Sequence, residues 1–286
     1  MIELKGTGVA LVTPFDEVGN LDFEGLKRLL SFTGEHVDYY VVMGTTGESA
    51  TCSFEEKQEA LAFVKENNPK SLPIVYGIGG NNTANVIAEI ENTNLDGVTA
   101  ILSASPYYNK PSQAGIIAHY EAIADASPLP IILYNVPGRT ASNMLAETTL
   151  ALAEHPNIIA MKEASGDLEQ CRRIAESKPE DFLLMSGEDM QSPEIIGLGG
   201  VGAISVLANG FPETYSLSIN QALEGKASES RATMDEMAEI NPLMYEESNP
   251  VGIKAVLKHK NVCGDLVRLP LLPASNDLNS RLLALL

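Results

Sequence analysis

Lys162 closes an otherwise apolar run, Ile158-Ile159-Ala160-Met161-Lys162. A run of that kind reads as a parallel strand buried on both faces, so the lysine stem continues into apolar surroundings. Burial disfavours the ammonium form and lowers its pKa. An unperturbed lysine is neutral in about one molecule in 2,500 at pH 7, and bringing that to half costs about 4–5 kcal/mol of environment. A neutral amine attacks carbonyl carbon and forms an imine. The plainer alternatives are a lysine that snorkels from a strand end or pairs with Glu163. Taken alone, the stretch favours them, and the neighbours must decide.

Tyr134 closes a second run, Ile131-Ile132-Leu133-Tyr134. Side chains alternate along a strand, which groups Ile132 with Tyr134, and Ile158 and Ala160 with Lys162. If the two strands are neighbours, a phenol meets the amine and can shuttle its protons; otherwise Tyr134 is a core tyrosine with a satisfied hydroxyl. Gly44-Thr45-Thr46-Gly47 offers backbone N–H groups and two hydroxyls that suit a carboxylate, or makes a plain turn. Arg139, five residues after Tyr134, suits bidentate capture of a second carboxylate, although an isolated loop arginine also reads as a surface charge.

Elements able to bring these groups together recur along the chain. Apolar strand-like runs fall at Val9–Val12, Tyr39–Met43, Ile74–Ile78, Val98–Leu102, Ile131–Tyr134, Ile158–Lys162, Phe182–Met185 and Gly202–Val206. Helical segments lie between them, starting near Asp22, at a Ser53–Glu56 capping box, and near Thr83, Ser112, Met144, Asp167 and Asp189. Eight strand-helix units predict an α/β fold, a closed (β/α)8 barrel of the TIM type, with a doubly wound open sheet as the alternative. After residue 210 only helical patterns remain, at Phe211–Leu223, Lys226–Met244, Pro250–His259 and Asn276–Leu286. The expected division is a catalytic barrel over 1–225 and a helical extension over 226–286. In such barrels chemistry collects at the carboxyl ends of strands, and there stand Thr45, Thr46, Tyr108, Tyr134, Arg139, Lys162, Gly187-Glu188-Asp189 and Ile204-Ser205.

Composition narrows the function. The 286 residues suffice for one large domain with a full core, and the formal net charge of −19 disfavours nucleic acid and anionic membranes. An anionic small molecule needs only one or two local cations. Three scattered cysteines (Cys52, Cys171, Cys263) and four scattered histidines (His36, His119, His155, His259) carry no disulfide framework and no metal-ligand spacing, so neither a metal nor another cofactor is expected. No apolar run approaches a membrane span, and Met1-Ile2-Glu3-Leu4-Lys5 lacks a leader's apolar segment; a cytoplasmic protein is expected. Gly197-Leu198-Gly199-Gly200-Val201-Gly202 matches a dinucleotide fingerprint in spacing but runs from helix to strand, the reverse of the order that motif requires. The acidic Glu188-Asp189 after the seventh strand disfavours a phosphorylated substrate.

With these residues assembled, the chain resembles the dihydrodipicolinate synthase family of pyruvate-dependent, Schiff-base-forming aldolases. The resemblance runs nearly end to end, through GVALVTPFDEVG (8–19), GTTGESAT (44–51), SPYYNKPSQ (105–113), YNVPGRT (134–140), KEASGD (162–167), LMSGED (184–189), GAISV (202–206) and NPVGIKA (249–255). It implies that Lys162 forms an imine with pyruvate, and that Tyr134, Thr45 and Tyr108 relay protons, Tyr108 coming from a neighbouring subunit of a dimer-of-dimers tetramer. It further implies that Thr46, Gly187 and Ile204 hold pyruvate and that Arg139 binds the carboxylate of L-aspartate 4-semialdehyde. Lyases of N-acetylneuraminate and 2-keto-3-deoxy sugar acids share the lysine and tyrosine; Arg139 separates them, because a polyhydroxy substrate prefers neutral partners. A non-catalytic barrel is disfavoured by the presence of both Lys162 and Tyr134.

In family members inhibited by lysine, the effector site at the dimer interface has histidines where this chain has Phe54 and Lys57, and a glutamate where it has Asn85. Ser49, Ala50, Asn81 and Tyr107 match. An amide for a carboxylate and an added cation weaken binding of a cationic effector, so feedback by lysine is expected to be weak or absent.

Overall fold

Each apolar run becomes a strand, and hydrogen bonding between consecutive strands closes them into a parallel barrel, the eighth pairing back onto the first. That closing pair excludes the open sheet. The computed structural model describes residues 4–286; the leader reading rested partly on Met1-Ile2-Glu3, which lies outside them. The strands are β1 Gly6–Ala10, β2 Tyr39–Val42, β3 Ile74–Gly77, β4 Ala100–Ala104, β5 Ile131–Asn135, β6 Ile158–Glu163, β7 Leu183–Ser186 and β8 Gly202–Ser205. Helices α1 Phe23–Gly34, α2 Phe54–Asn67, α3 Thr83–Asn92, α4 Gln113–Ala126, α5 Pro137–Thr140, α6 Ala146–Ala153, α7 Leu168–Ser177, α8 Ser192–Gly197 and α9 Pro212–Leu223 alternate with them, and α10 Ala227–Asp235, α11 Val251–His259 and α12 Asn276–Ala284 follow.

Alternation along the strands divides the core in two. One set, including Tyr39, Val41, Val75, Leu102, Ile132, Tyr134 and Met185, fills the barrel; the other, including Tyr40, Val42, Ile131, Leu133 and Met161, packs against the helices. Helix starts follow side-chain chemistry. Asp22, Ser53, Ser112 and Asp167 each accept a backbone N–H of the first turn, and Ser53 completes its capping box with Glu56.

Several boundaries differ from the sequence reading. β1 begins at Gly6 because Gly8 is needed where Tyr39 crosses: a Cβ there would lie 2.2 Å from the tyrosine ring. Glycine and threonine carry little strand signal, which hides this start. β4 starts at Ala100 rather than Val98, and α6 at Ala146 rather than Met144. Asp189 opens a short 3-10 turn ahead of α8, and Asn82, not Thr83, caps α3. Ile158 does not share a face with Ala160 and Lys162: a register shift pairs Ile131 with Ile158 and Ile132 with Ala160, and Ile158 packs outward. The pattern over Lys226–Met244 is not one helix. α10 ends at Asp235, and a 3-10 turn takes Asn241–Met244, where Pro242 has no N–H to continue a longer helix. At the Gly197–Gly202 decoy the chain turns from α8 into β8, and a Cβ on Gly202 would lie 2.0 Å from the Gly6 carbonyl oxygen.

The residues after β8 are pinned to the loop after β2 by a buried ion pair. Lys254 Nζ, fully enclosed, donates to Glu48 Oε1 (2.5 Å) and to the Leu266 carbonyl (2.7 Å), while the Arg268 N–H donates to Glu48 Oε2 (3.0 Å). Glu48 sits in the left-handed region (φ 54), a conformation such fixed contacts must maintain. Lys254→Met removes the cation, leaves the carboxylate buried alone and lowers stability by about 3–5 kcal/mol, read as a reduced urea midpoint; adding Glu48→Gln recovers part of the loss.

Candidate active site

Tyr134 and Lys162 are register partners across β5 and β6, both facing the barrel interior, with Lys162 Nζ 4.3 Å from the centre of the Tyr134 ring. Lys162 is 5% exposed, so it does not snorkel. Nor does it pair with Glu163, which turns to the opposite face. There the carboxylate accepts from Asn135 Nδ2 (3.1 Å), Gln170 Nε2 (2.8 Å) and the Ser165 N–H (2.7 Å). The rung after Tyr134–Lys162 is thus Asn135–Glu163, a hydrogen-bonded clamp on the outer face. Beside the lysine stem, β7 runs out into Gly187, where a Cβ would stand 2.8 Å from Lys162 Cε; only glycine leaves room for the side chain to cross.

Burial pushes the Lys162 ammonium down to about 8, opposed by the negative charge of Asp189 and reinforced by Arg139. About one amine in ten is then neutral at pH 7, against fewer than one in a thousand for an exposed lysine. Burial also raises the Tyr134 phenol to about 12, with Arg139 and the Thr45 hydroxyl working the other way. The phenol therefore stays protonated at neutral pH, suited to pass a proton rather than to act as an anion.

These groups line a cavity of about 320 Å³. Gly44, Thr45 and Thr46 form one wall, held by the Thr13 hydroxyl on the Gly47 carbonyl (2.6 Å). The 3-10 turn at Thr45–Gly47 leaves its leading N–H groups without intrahelical acceptors. Thr46 is buried and its hydroxyl accepts from Asn249 Nδ2 (3.0 Å). Arg139 lines the cavity from α5, the short helix that follows β5 directly. Gly187 lines it too. Ile204 lies within the barrel on β8, but is not among the lining residues.

Tyr108 is not brought to this cavity. It is 87% exposed with φ 70, on a loop braced by Asn81 Nδ2 donating to the Tyr107 carbonyl (3.1 Å) and Asn109 Nδ2 donating to the Asn81 carbonyl (3.0 Å). Ser49, Ala50, Asn81 and Tyr107 do meet, around an adjoining cavity of about 500 Å³ that shares Thr45, Tyr134 and Arg139 with the first. Lys57 and Asn85 line that second cavity, and Lys57 Nζ is paired with Glu89 Oε1 (3.0 Å).

Tyr245, Ser248 and Asn249 also line the first cavity, and no functional reading from sequence included them. They follow the last strand, so the strand-end rule does not reach them; the Asn249-Pro250 signal marks a turn, not a wall of the site. Glu188 stood at a strand end in the sequence but received no role. Among the described residues no group of three or more His, Cys, Asp or Glu is placed to hold a metal ion, and no helix is long and apolar enough to cross a membrane.

A closed eight-stranded parallel barrel with a buried lysine at its carboxyl-end rim defines a class, the (β/α)8-barrel enzymes. Within it, the chain belongs to the dihydrodipicolinate synthetase family, whose model matches residues 3–286. It is 47% identical over 274 residues to the 4-hydroxy-tetrahydrodipicolinate synthase of Cytophaga hutchinsonii, covering 96% of this chain and 92% of that one. Among solved structures, it is similar to the dihydrodipicolinate synthase of Acinetobacter baumannii complexed with pyruvate (TM-score 0.95, 34% identity, 99% and 97% of the two chains covered). A similar likeness holds to that of Cyanidioschyzon merolae with lysine bound (TM-score 0.93, 36% identity, 98% and 96% covered).

The depressed lysine sets a pH dependence. Only a neutral amine adds to a carbonyl, so with Lys162 as the nucleophile the initial rate of borohydride trapping at constant pyruvate is expected to rise roughly tenfold per pH unit below the amine's pKa and to level off above about 8. A plateau delayed to the range of free lysine contradicts the buried state of Lys162.

Proposed function

We propose that this enzyme condenses pyruvate, held as a Lys162 enamine, with L-aspartate 4-semialdehyde to give 4-hydroxy-tetrahydrodipicolinate, the step that leads toward diaminopimelate and lysine. The observation that carries the reading is the buried Lys162 amine beside Tyr134 in a cavity that Arg139 also lines. The neutral amine adds to the pyruvate carbonyl, and loss of water gives the imine. Loss of a methyl proton gives the enamine, whose carbon attacks the aldehyde. The amine of the adduct then closes on the imine carbon and Lys162 leaves. Thr45, Tyr134 and Tyr108 relay the protons; Thr46, Gly187 and Ile204 hold the pyruvate end, and Arg139 takes the semialdehyde carboxylate. The tethering of pyruvate agrees with the pyruvate complex of the Acinetobacter baumannii relative.

Tyr108 serves a neighbouring copy of the chain. Its exposure and its positive φ, held by Asn81 and Asn109, support a side chain presented outward. A tetramer built as a dimer of dimers, in the cytoplasm, completes the reading, with residues 1–225 as the catalytic barrel and 226–286 as an extension packed on it.

Borohydride reduction with pyruvate followed by peptide mapping places the adduct on Lys162, and the reduced enzyme is inactive. An adduct elsewhere overturns the mechanism, and turnover of N-acetylneuraminate in place of aspartate semialdehyde overturns the substrate. Tyr134→Phe retains binding and loses about 10²–10⁴-fold in kcat. The second cavity already contains the Lys57 cation and has Asn85 for a carboxylate, so steady-state turnover is unchanged at micromolar lysine. Inhibition in that range removes the assignment of a weakened effector site.

A further inference from the structure

Two adjacent carboxylates follow β7, and the structure uses them differently. Asp189 is buried and occupied, accepting the N–H groups of Val206 (3.1 Å) and Leu207 (2.8 Å), so it fastens the loop after β8. Glu188 has its main chain fixed just as firmly. Its N–H donates to Ser186 Oγ (3.2 Å), while its carbonyl accepts from Ser186 Oγ (2.8 Å), Ser192 Oγ (3.2 Å) and the Gln191 N–H (3.1 Å). Its carboxylate, by contrast, forms no ion pair with any described residue, and neither does Arg139. Among the described residues, Glu188 is the only acidic side chain lining the 320 Å³ cavity, and Arg139 and Lys162 are the only basic ones. Partial burial raises the Glu188 carboxyl above the usual range, with Asp189 adding to the rise and Lys162 opposing it.

Lys162 must spend the reaction as a neutral amine or an imine, so it is not the lasting partner of this anion. Arg139 is matched by a substrate carboxylate. A rigidly mounted, unpartnered anion in the cavity that this cation also lines suits a zwitterion, in which carboxylate and ammonium share a carbon atom. Resting on the reading of the second substrate as L-aspartate 4-semialdehyde, we propose that Glu188 binds its α-ammonium group and is the residue that makes the enzyme select an amino aldehyde acid. Glu188 and Arg139 together then fix the orientation of the aldehyde relative to the enamine. In sequence the two consecutive acids served only to disfavour a phosphorylated substrate; the contacts of Asp189 separate them.

The probe is 4-oxobutanoate, the same aldehyde acid without the ammonium group. The analogue has no amine to close the ring and release Lys162, so it is read as a competitive inhibitor against aspartate semialdehyde rather than as a substrate. The parent enzyme binds it about ten- to a hundredfold more weakly than aspartate semialdehyde, the worth of one charge-assisted hydrogen bond. Equal affinity for the two in the parent overturns the proposal without any variant. Glu188→Gln raises the KM for aspartate semialdehyde by about tenfold or more, leaves the inhibition constant of 4-oxobutanoate and the KM for pyruvate unchanged, and so removes most of the preference; Glu188→Asp keeps it. Borohydride trapping of pyruvate by each variant verifies an intact amine site. Equal losses toward both aldehydes, or a preference that survives Glu188→Gln, overturn the assignment while leaving the enzyme's reaction intact. A parent that does not turn over aspartate semialdehyde overturns the substrate reading and this proposal together.

Discussion

Holding one amine out of water inside a closed barrel is the constraint on which the site depends. The ammonium form is disfavoured there, which makes Lys162 reactive near neutral pH, and the same enclosure requires the backbone around it to be fixed from both sides. On the inside, Tyr134 stands against the lysine and Gly187 yields the volume its stem crosses. On the outside, Asn135 and Glu163 clamp the next rung and bind Gln170 of α7 and the Ser165 N–H. One strand pairing therefore serves two purposes, chemistry on its inner face and registration on its outer face. A slip of one residue would exchange them, since strand side chains alternate.

Charge is distributed by task. The chain is strongly acidic overall, yet the cavity pairs two basic groups with one acid, which suits substrates carrying two carboxylates and an amine between them. Elsewhere the buried Glu48–Lys254 pair is structural and joins the wall after β2 to α11. Together with Asn249 on the Thr46 hydroxyl, that pair makes the region after β8 part of the site rather than an ornament on the barrel. The acidic composition works against nucleic acid and anionic membranes, and Arg139 and Lys162 are the cations that line the cavity among the described residues.

Much was legible before any coordinates. Eight apolar runs separated by capped amphipathic segments predict a closed barrel because strands buried on both faces and helices buried on one have different periods, and both periods are written in the residues. Period two also placed Tyr134 and Lys162 on a common face, since each run ends on the residue in question. The same rule failed for Ile158, where a bulge adds a residue to β6 that no local signal marks. It was weak at Gly6–Ala10, where Gly8 makes room for Tyr39 and Gly6 for Asp38 at the cost of strand propensity. The helix expected over Lys226–Met244 stops at Asp235 and gives way to turns and the 3-10 turn at Asn241–Met244, a break that the apolar periodicity concealed.

What the sequence by itself determined is which candidate groups stand at the strand ends and the element that carries each, because residue type, strand parity and capping are local properties. Tertiary structure alone decided their company. It turned Glu163 away from Lys162 and into a clamp, kept Ile204 within the barrel rather than on the cavity wall, and held Tyr108 outside it. It also brought Tyr245 and Asn249 more than a hundred positions back to Thr46 and Tyr134, and left Glu188 free while occupying Asp189. The physical reason is that burial, pairing and room for a side chain are fixed by atoms distant in the chain, and the closing of β8 onto β1 is what places them.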